Sequence, residues 1–99
     1  MIIYSVEICV TKEVFKSWYN WMKKKHIPDI MRTNLFVEFE FYKNFENNVH
    51  KSYVIQYKLK SFEQYKKYQK IYQKKFQTQH STKFKNEFLA IRSLFIKIL

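Results

Sequence analysis

Two polar residues, His26 and Asp29, have the types and the spacing of a catalytic or ligand-orienting pair. A neutral imidazole accepts a proton or orients a ligand, and a carboxylate nearby can hold its ring in one tautomer. Asp29 is the only aspartate of the chain and follows His26 by three positions. The pair is therefore the candidate catalytic site. The alternative is structural, because a histidine followed by a proline, here Pro28, is common where helices end.

Trp18 and Met22 are candidates for binding a small ligand beside His26. At about 100° per residue they share one wide arc of a predicted helix, so both would line a cavity between that helix and a sheet. The alternative is that they fill the core.

Arg92 completes the candidate ligand site and is one of only two arginines. It lies within an apolar strand, where a guanidinium needs a carboxylate. That carboxylate would come from a ligand or from the chain, in which Glu7, Glu38 and Glu40 are available. The sequence leaves both alternatives open.

Lysines dominate residues 58–85, which hold nine lysines and one glutamate. As a functional surface this segment would bind RNA or the ribosome with a steep salt dependence. The candidate contacts are Lys66, Lys67, Lys70 and Lys74. The competing interpretation is compositional. Lysine has A/T-rich codons, and selection for phosphate contacts would favour arginine, yet the chain of net charge +11 has 17 lysines and two arginines.

Several classes of site are excluded or disfavoured. The absence of glycine excludes glycine-rich phosphate loops, and a single cysteine excludes an internal disulfide. No spacing of histidines or cysteines indicates a metal, and no cofactor is expected. No apolar run reaches the roughly 18 residues of a membrane span. The first residues lack the basic start of a signal peptide, so we expect a cytoplasmic protein.

The hydropathy pattern predicts six elements that would position these side chains. Alternation predicts strands at residues 2–10, 35–45, 51–59 and 88–98, and helical periodicity predicts helices at residues 12–26 and 61–79. Pro28 is expected to end the first helix near His26. Asn34 and Asn47-Asn48 are expected to make the turns that glycine usually makes. Residues 78–86 are predicted to form a loop, and His50 and His80 fall in predicted loops.

The order β-α-β-β-α-β predicts one α+β domain over residues 1–99 with a ferredoxin-like fold. Its four-stranded antiparallel sheet would carry both helices on one face. The other face is too apolar to be plainly solvated, with predicted members Ile3, Cys9, Phe36, Tyr42 and Val54. A second copy packed sheet to sheet would cover it, so a homodimer is expected.

The sequence also resembles a bacterial family known as domain of unknown function 4286. Five segments carry the resemblance, namely residues 1–6, Trp18-Tyr19-Asn20-Trp21-Met22, His26-Ile27-Pro28-Asp29-Ile30, Thr33-Asn34-Leu35-Phe36 and residues 88–94. That family is similar to the dimeric α/β-barrel superfamily, which implies a ferredoxin-like protomer whose sheets pair. The superfamily includes cofactor-free monooxygenases, isomerases, haem enzymes and amino-acid-sensing domains. The family itself implies no activity.

The sequence therefore predicts a cytoplasmic homodimer that binds a small apolar or carboxylate ligand between its helices and sheet. If it is an enzyme, fold resemblance alone favours a cofactor-free monooxygenase- or isomerase-like activity. The alternatives are an RNA- or ribosome-associated basic protein and a non-catalytic protein-interaction dimer.

Overall fold

The computed structural model describes residues 1–45 and 51–99; the expected turn at Asn47-Asn48 and His50 lie outside them. The strands are β1 (Ile2–Val10), β2 (Glu38–Lys43), β3 (Lys51–Leu59) and β4 (Phe88–Ile96). Residues 15–31 form the first helix, made of α1 (Phe15–Trp21), a π-helical turn (Met22–His26) and α2 (Ile27–Met31). Residues 62–83 form the second helix, made of α3 (Phe62–Tyr68), a π-helical turn (Gln69–Gln73) and α4 (Lys74–Lys83).

The four strands form one antiparallel sheet in the order β2-β3-β1-β4. In the two central strands, β1 and β3, more buried and less buried side chains alternate, because the helices cover one face of the sheet. Val6 lies between Ile55 of β3 and Arg92 of β4, and all three side chains therefore point toward the helices. The predicted α+β, ferredoxin-like architecture is confirmed.

The core lies between the helices and this sheet face, which we call the inner face. Its buried members include Tyr4, Trp18, Met22, Tyr57 and Tyr68. Phe36 was expected on the opposite, outer face, and that prediction is wrong. It precedes β2, so it is free of the strand alternation, and it is buried against the rings of Tyr57 and Tyr68.

The first helix does not end at His26. The backbone N–H of Ile27 donates to the carbonyl of Met22, five residues earlier, and closes the π-helical turn. Pro28 then occupies the first turn of α2, where its missing N–H costs no hydrogen bond. A proline that was expected to stop the helix is thus accommodated by a locally wider turn.

The second helix begins as expected and ends later. The Ser61 hydroxyl accepts a hydrogen bond from the backbone N–H of Gln64 at 3.3 Å, which caps the helix. The helix then continues to Lys83, through the predicted loop, so His80 is helical. The predicted left-handed backbone at Asn34 is confirmed with φ of 62°, and Asn86 adopts φ of 63° before β4.

Candidate ligand-binding site

A small cavity lies at the centre of the layer between the helices and the sheet. Its volume is about 30 Å³, which is room for one or two water-sized molecules. Three of the four predicted ligand-binding residues, Met22, His26 and Arg92, line it. The polar or aromatic remainder of the wall is Tyr4, Tyr57, Tyr68, Phe76, Gln77 and His80.

Trp18, the fourth predicted residue, lies behind the cavity wall and reaches it through His80. It is fully buried and packs against the rings of Phe15, Phe41 and Tyr53. Its indole N–H donates to Nε2 of His80 over 2.8 Å. Because Nε2 accepts, the proton of a neutral His80 ring lies on Nδ1. Trp18 therefore sets the tautomer of a ring in the cavity wall.

His26 enters the cavity from the π-helical turn of the first helix. Its ring stacks on Trp21, with centroids 4.5 Å apart, and lies 5.8 Å from the ring of His80. The two histidines are 7% and 3% exposed. Among the residues that the structure describes, Nδ1 of neither ring has a hydrogen-bond partner. A buried polar nitrogen without a partner is costly, so the two atoms mark a place for a polar ligand atom or water.

Both histidines are uncharged at neutral pH. Burial, together with the neighbouring His80, lowers the pKa of His26 to about 3. Burial also lowers the pKa of His80 to about 4, with a contribution from the charge of Arg92. The rings therefore offer hydrogen bonds rather than positive charge.

Asp29 does not orient His26. Its carboxylate pairs with the ammonium of Lys25 at 3.0 Å and with the guanidinium of Arg32, both on the outside of the first helix. The expected dyad is therefore not formed in this structure. The physical reason is that i,i+3 and i,i+4 cations on the same helix reach the carboxylate directly, whereas His26 is turned into the core.

Arg92 points to the inner face, because it lies across from Val6 in β1. The carboxylates proposed as its partners belong to the outer face: Glu7 lies across from Ile91, and Glu38 pairs with Lys58 at 2.6 Å. The alternative, an ion pair between Arg92 and one of these carboxylates, is therefore not formed within the described part of the protomer. Within residues 1–45 and 51–99 Arg92 has no salt bridge. Although its side chain is exposed, its charge acts inward, lowering the pKa values of His26 and His80.

His80 is the functional candidate that sequence reasoning missed. The polar character of residues 78–86 predicts a loop there, and His80 falls within it. A signal was present, since aromatic rings recur every four residues at Tyr68, Tyr72, Phe76 and Phe84, and His80 occupies the remaining place in that series. In the structure the rings of Phe76, His80 and Phe84 are buried in one row.

The predicted nucleic-acid contacts lie on the outer surface of the second helix. Lys66, Lys67, Lys70 and Lys74 are all exposed, and none of them forms a salt bridge with the described part of the chain. No helix among the described residues is both long and apolar enough to cross a membrane. The described residues contain no cluster of three or more His, Cys, Asp or Glu side chains suited to a metal ion.

The fold is shared with several solved structures. A protein from an uncultured marine organism, described as a dimeric ferredoxin-like protein, is 17% identical with a TM-score of 0.67, over 100% of this chain and 96% of that one. SnoaB from Streptomyces nogalater, a cofactor-independent oxygenase, is 14% identical with a TM-score of 0.71, over 97% and 92%. A Bacillus halodurans protein of the ethyl tert-butyl ether D family is 11% identical with a TM-score of 0.68, over 99% and 100%.

At these identities the likeness establishes the fold alone. None of the curated proteins compared with the chain matches it. The sequence itself places the chain more narrowly, because a family model matches residues 1–98. The resemblance of the His26-Ile27-Pro28-Asp29-Ile30 segment and its neighbours is thereby confirmed. The chain belongs to the family described as Domain of unknown function (DUF4286).

Proposed function

We propose that the protein binds a small molecule that carries a carboxylate, and holds the carboxylate in the cavity between the helices and the sheet. One observation carries the proposal. As far as the structure describes the chain, the cavity wall contains an arginine and two neutral histidines with unpartnered Nδ1 atoms, but no acidic residue. Such a wall offers hydrogen-bond donors and positive charge without a negative charge to balance them, which favours an anion.

The roles of the residues follow from their positions. His80 donates from Nδ1 to a carboxylate oxygen, because Trp18 occupies its Nε2. Arg92 supplies the compensating charge from the edge strand. A volume of about 30 Å³ admits the head group only, so the apolar body of the ligand lies outward, past the exposed side chain of Arg92.

The geometry favours binding over proton transfer. A general base works best when its pKa is near the operating pH, whereas burial lowers the pKa of His26 to about 3. SnoaB, which has the same fold, is a cofactor-independent oxygenase. For this chain an oxygenase-like activity would need a base other than His26, so we propose ligand binding as the function.

The binding protein works as a cytoplasmic homodimer through the outer sheet face. Leu89 and Ile91 on that face are 77% and 64% exposed, and exposed apolar clusters of this kind are typical of interfaces. The marine protein of the same fold is described as dimeric. A second copy covers this face in our proposal, and the cavity on the inner face of each protomer stays open at Arg92.

The test is a titration of the purified protein with hexanoate, an aliphatic carboxylate, and with its neutral amide, followed by NMR shifts of the histidine side chains. We expect the carboxylate to bind at least tenfold more tightly and to shift His80. Arg92→Gln should abolish this preference, whereas Arg32→Gln, the same change at the other arginine, should preserve it. Equal affinity for acid and amide, or equal loss in both variants, would overturn the proposal.

A further inference from the structure

A second, larger opening lies on the opposite flank of the first helix. It is a groove of about 530 Å³ between that helix and the edge strand β2, within the range of sites for small organic ligands. Its walls include four aromatic rings and two lysines, namely Tyr19, Lys23, Phe39, Phe41, Lys43 and Tyr53. In the described part of the chain it shares no lining residue with the central cavity.

We propose that this groove is a second binding site, which takes a planar aromatic molecule carrying one negative charge. The proposal is independent of carboxylate binding at Arg92. It depends on three features of the groove: the arrangement of its rings, the charge at its rim and its position relative to the outer sheet face.

Three of the four rings that line the groove contact one another, and the fourth does not contact them. Tyr19, Phe41 and Tyr53 contact one another, with centroid separations of 5.7 to 6.1 Å. Phe39 also lines the groove but has no ring partner among the described residues, and it is 42% exposed. Aromatic pairs gain stability at centroid separations of 4.5 to 7 Å. A flat ring between Phe39 and the other three would supply the missing contact.

The rim of the groove is positive. The ammonium of Lys23 lies 4.8 Å from the centroid of Tyr19, and Lys43 lies on β2 on the other side. Among residues 1–45 and 51–99, no acidic side chain lines the groove. An aromatic anion therefore satisfies both the apolar wall and the charge of its rim, whereas a neutral aromatic satisfies only the wall.

The groove stays accessible in the proposed dimer. Phe39 lies across from Tyr57 and Phe41 across from Ile55, so both belong to the inner side of the sheet. The apolar face proposed for the second copy is the outer side. A small molecule is thus the fitting occupant, since the dimer interface does not extend to this flank.

The experiment is a calorimetric titration of the full chain with 2-naphthalenesulfonate and with neutral 2-naphthalenemethanol. We expect the sulfonate to bind at least tenfold more tightly. Phe39→Ala and Lys43→Gln should each weaken sulfonate binding about tenfold. The matched controls, Phe45→Ala and Lys24→Gln, change exposed residues that do not line the groove and should leave affinity unchanged.

A third variant shows which of the two proposed sites the sulfonate occupies. Arg92→Gln should leave sulfonate binding unchanged. If Arg92→Gln abolishes binding while Phe39→Ala does not, the sulfonate occupies the central cavity and the groove is not a site. Equal binding of the neutral alcohol, or equal losses in test and control variants, would also overturn the proposal. Far-UV circular dichroism of each variant confirms that it is folded.

Discussion

The indole N–H of Trp18 donates to Nε2 of His80 over 2.8 Å and joins two residues 62 positions apart. The hydrogen bond links the first helix to the second in the buried layer. It also decides which nitrogen of His80 carries the proton. A hydrogen bond within the core thus leaves Nδ1 of His80 as the hydrogen-bond donor of a ring in the cavity wall.

Removing the indole N–H of Trp18 should destabilise the protein and allow the His80 ring to adopt either neutral tautomer. Trp18→Phe keeps most of the ring but leaves the buried Nε2 of His80 without a partner, which typically costs about 1–3 kcal/mol. We expect a lower free energy of unfolding in urea and altered ¹⁵N shifts of His80. Trp21→Phe, which removes an indole that makes no such bond to His80, is the control. The interpretation fails if both variants leave the His80 shifts as they are.

Acid should destabilise the fold between about pH 6.5 and pH 4. The folded pKa values of His26 and His80, about 3 and about 4, lie below the ordinary value of 6.5. Well above pH 6.5 both histidines are neutral in the folded and in the unfolded chain, so the free energy of unfolding is at its full value. As the pH falls toward the folded pKa values, the unfolded chain gains protons that the folded one lacks.

By pH 5 the loss should be about 2 kcal/mol for each histidine. Urea unfolding at pH 7, 6 and 5 measures it, and the carboxylates of unfolded chains titrate mostly below this window. In His26→Phe the dependence on pH should be about half as steep. A wild-type stability that is flat from pH 7 to pH 5 would show that the rings are not buried in their neutral form.

Removing the charge of Arg92 should raise the pKa values of both histidines. A positive charge opposes protonation, and Arg92 contributes to the lowered pKa of each ring. Burial is the larger cause and remains, so the values should rise without reaching 6.5. NMR titration of Arg92→Gln tests this, with Arg32→Gln as the matched change outside the cavity. Equal titration curves for the two variants would contradict the inward action of Arg92.

A charge on the outer face should separate the proposed dimer. Ile91 is 64% exposed and lies across from Glu7, so Ile91→Lys costs the protomer little and gives the new ammonium a neighbouring carboxylate. We expect sedimentation velocity to show a dimer for the unaltered chain and a monomer for this variant. Ile71→Lys, at a 61% exposed position of the second helix, should stay dimeric. A monomer in every case would refute the interface.

The strands were the most predictable part of the fold. β1 and β3 have the predicted bounds, residues 2–10 and 51–59, because each is central and its alternation reflects a covered face. β2 was predicted at residues 35–45 and spans Glu38–Lys43. It is an edge strand, so only one neighbouring strand pairs with its ends. Burial of the Phe36 side chain in the core stabilises the protein more than another residue pair in the sheet would.

The candidate site was predicted in part. Met22, His26 and Arg92 meet at one cavity as the sequence suggested. His80 was missed because residues 78–86 are polar and predict a loop. The aromatic series alone does not correct this, since a spacing of four residues drifts by about 40° per step in an ideal α-helix. The π-helical turn at Gln69–Gln73 takes up part of this drift. The polarity of the residues around Gln69–Gln73 does not predict such a turn. The turn is stabilised by the burial of aromatic rings further along the helix, which depends on the tertiary structure.

The same turn lets the second helix carry one residue more than a regular α-helix of the same length. A π-helical turn is equivalent to one residue inserted into an α-helix, with the wider turn taking up the extra residue. We expect deletion of Lys70 to restore regular winding, since no proline obstructs it, and to leave the segments before and after the deletion in the same relative orientation. The variant should stay helical by circular dichroism and keep the Trp18–His80 bond, which the ¹⁵N shifts of His80 report. Family members that lack one residue here should therefore position His80 in the same way.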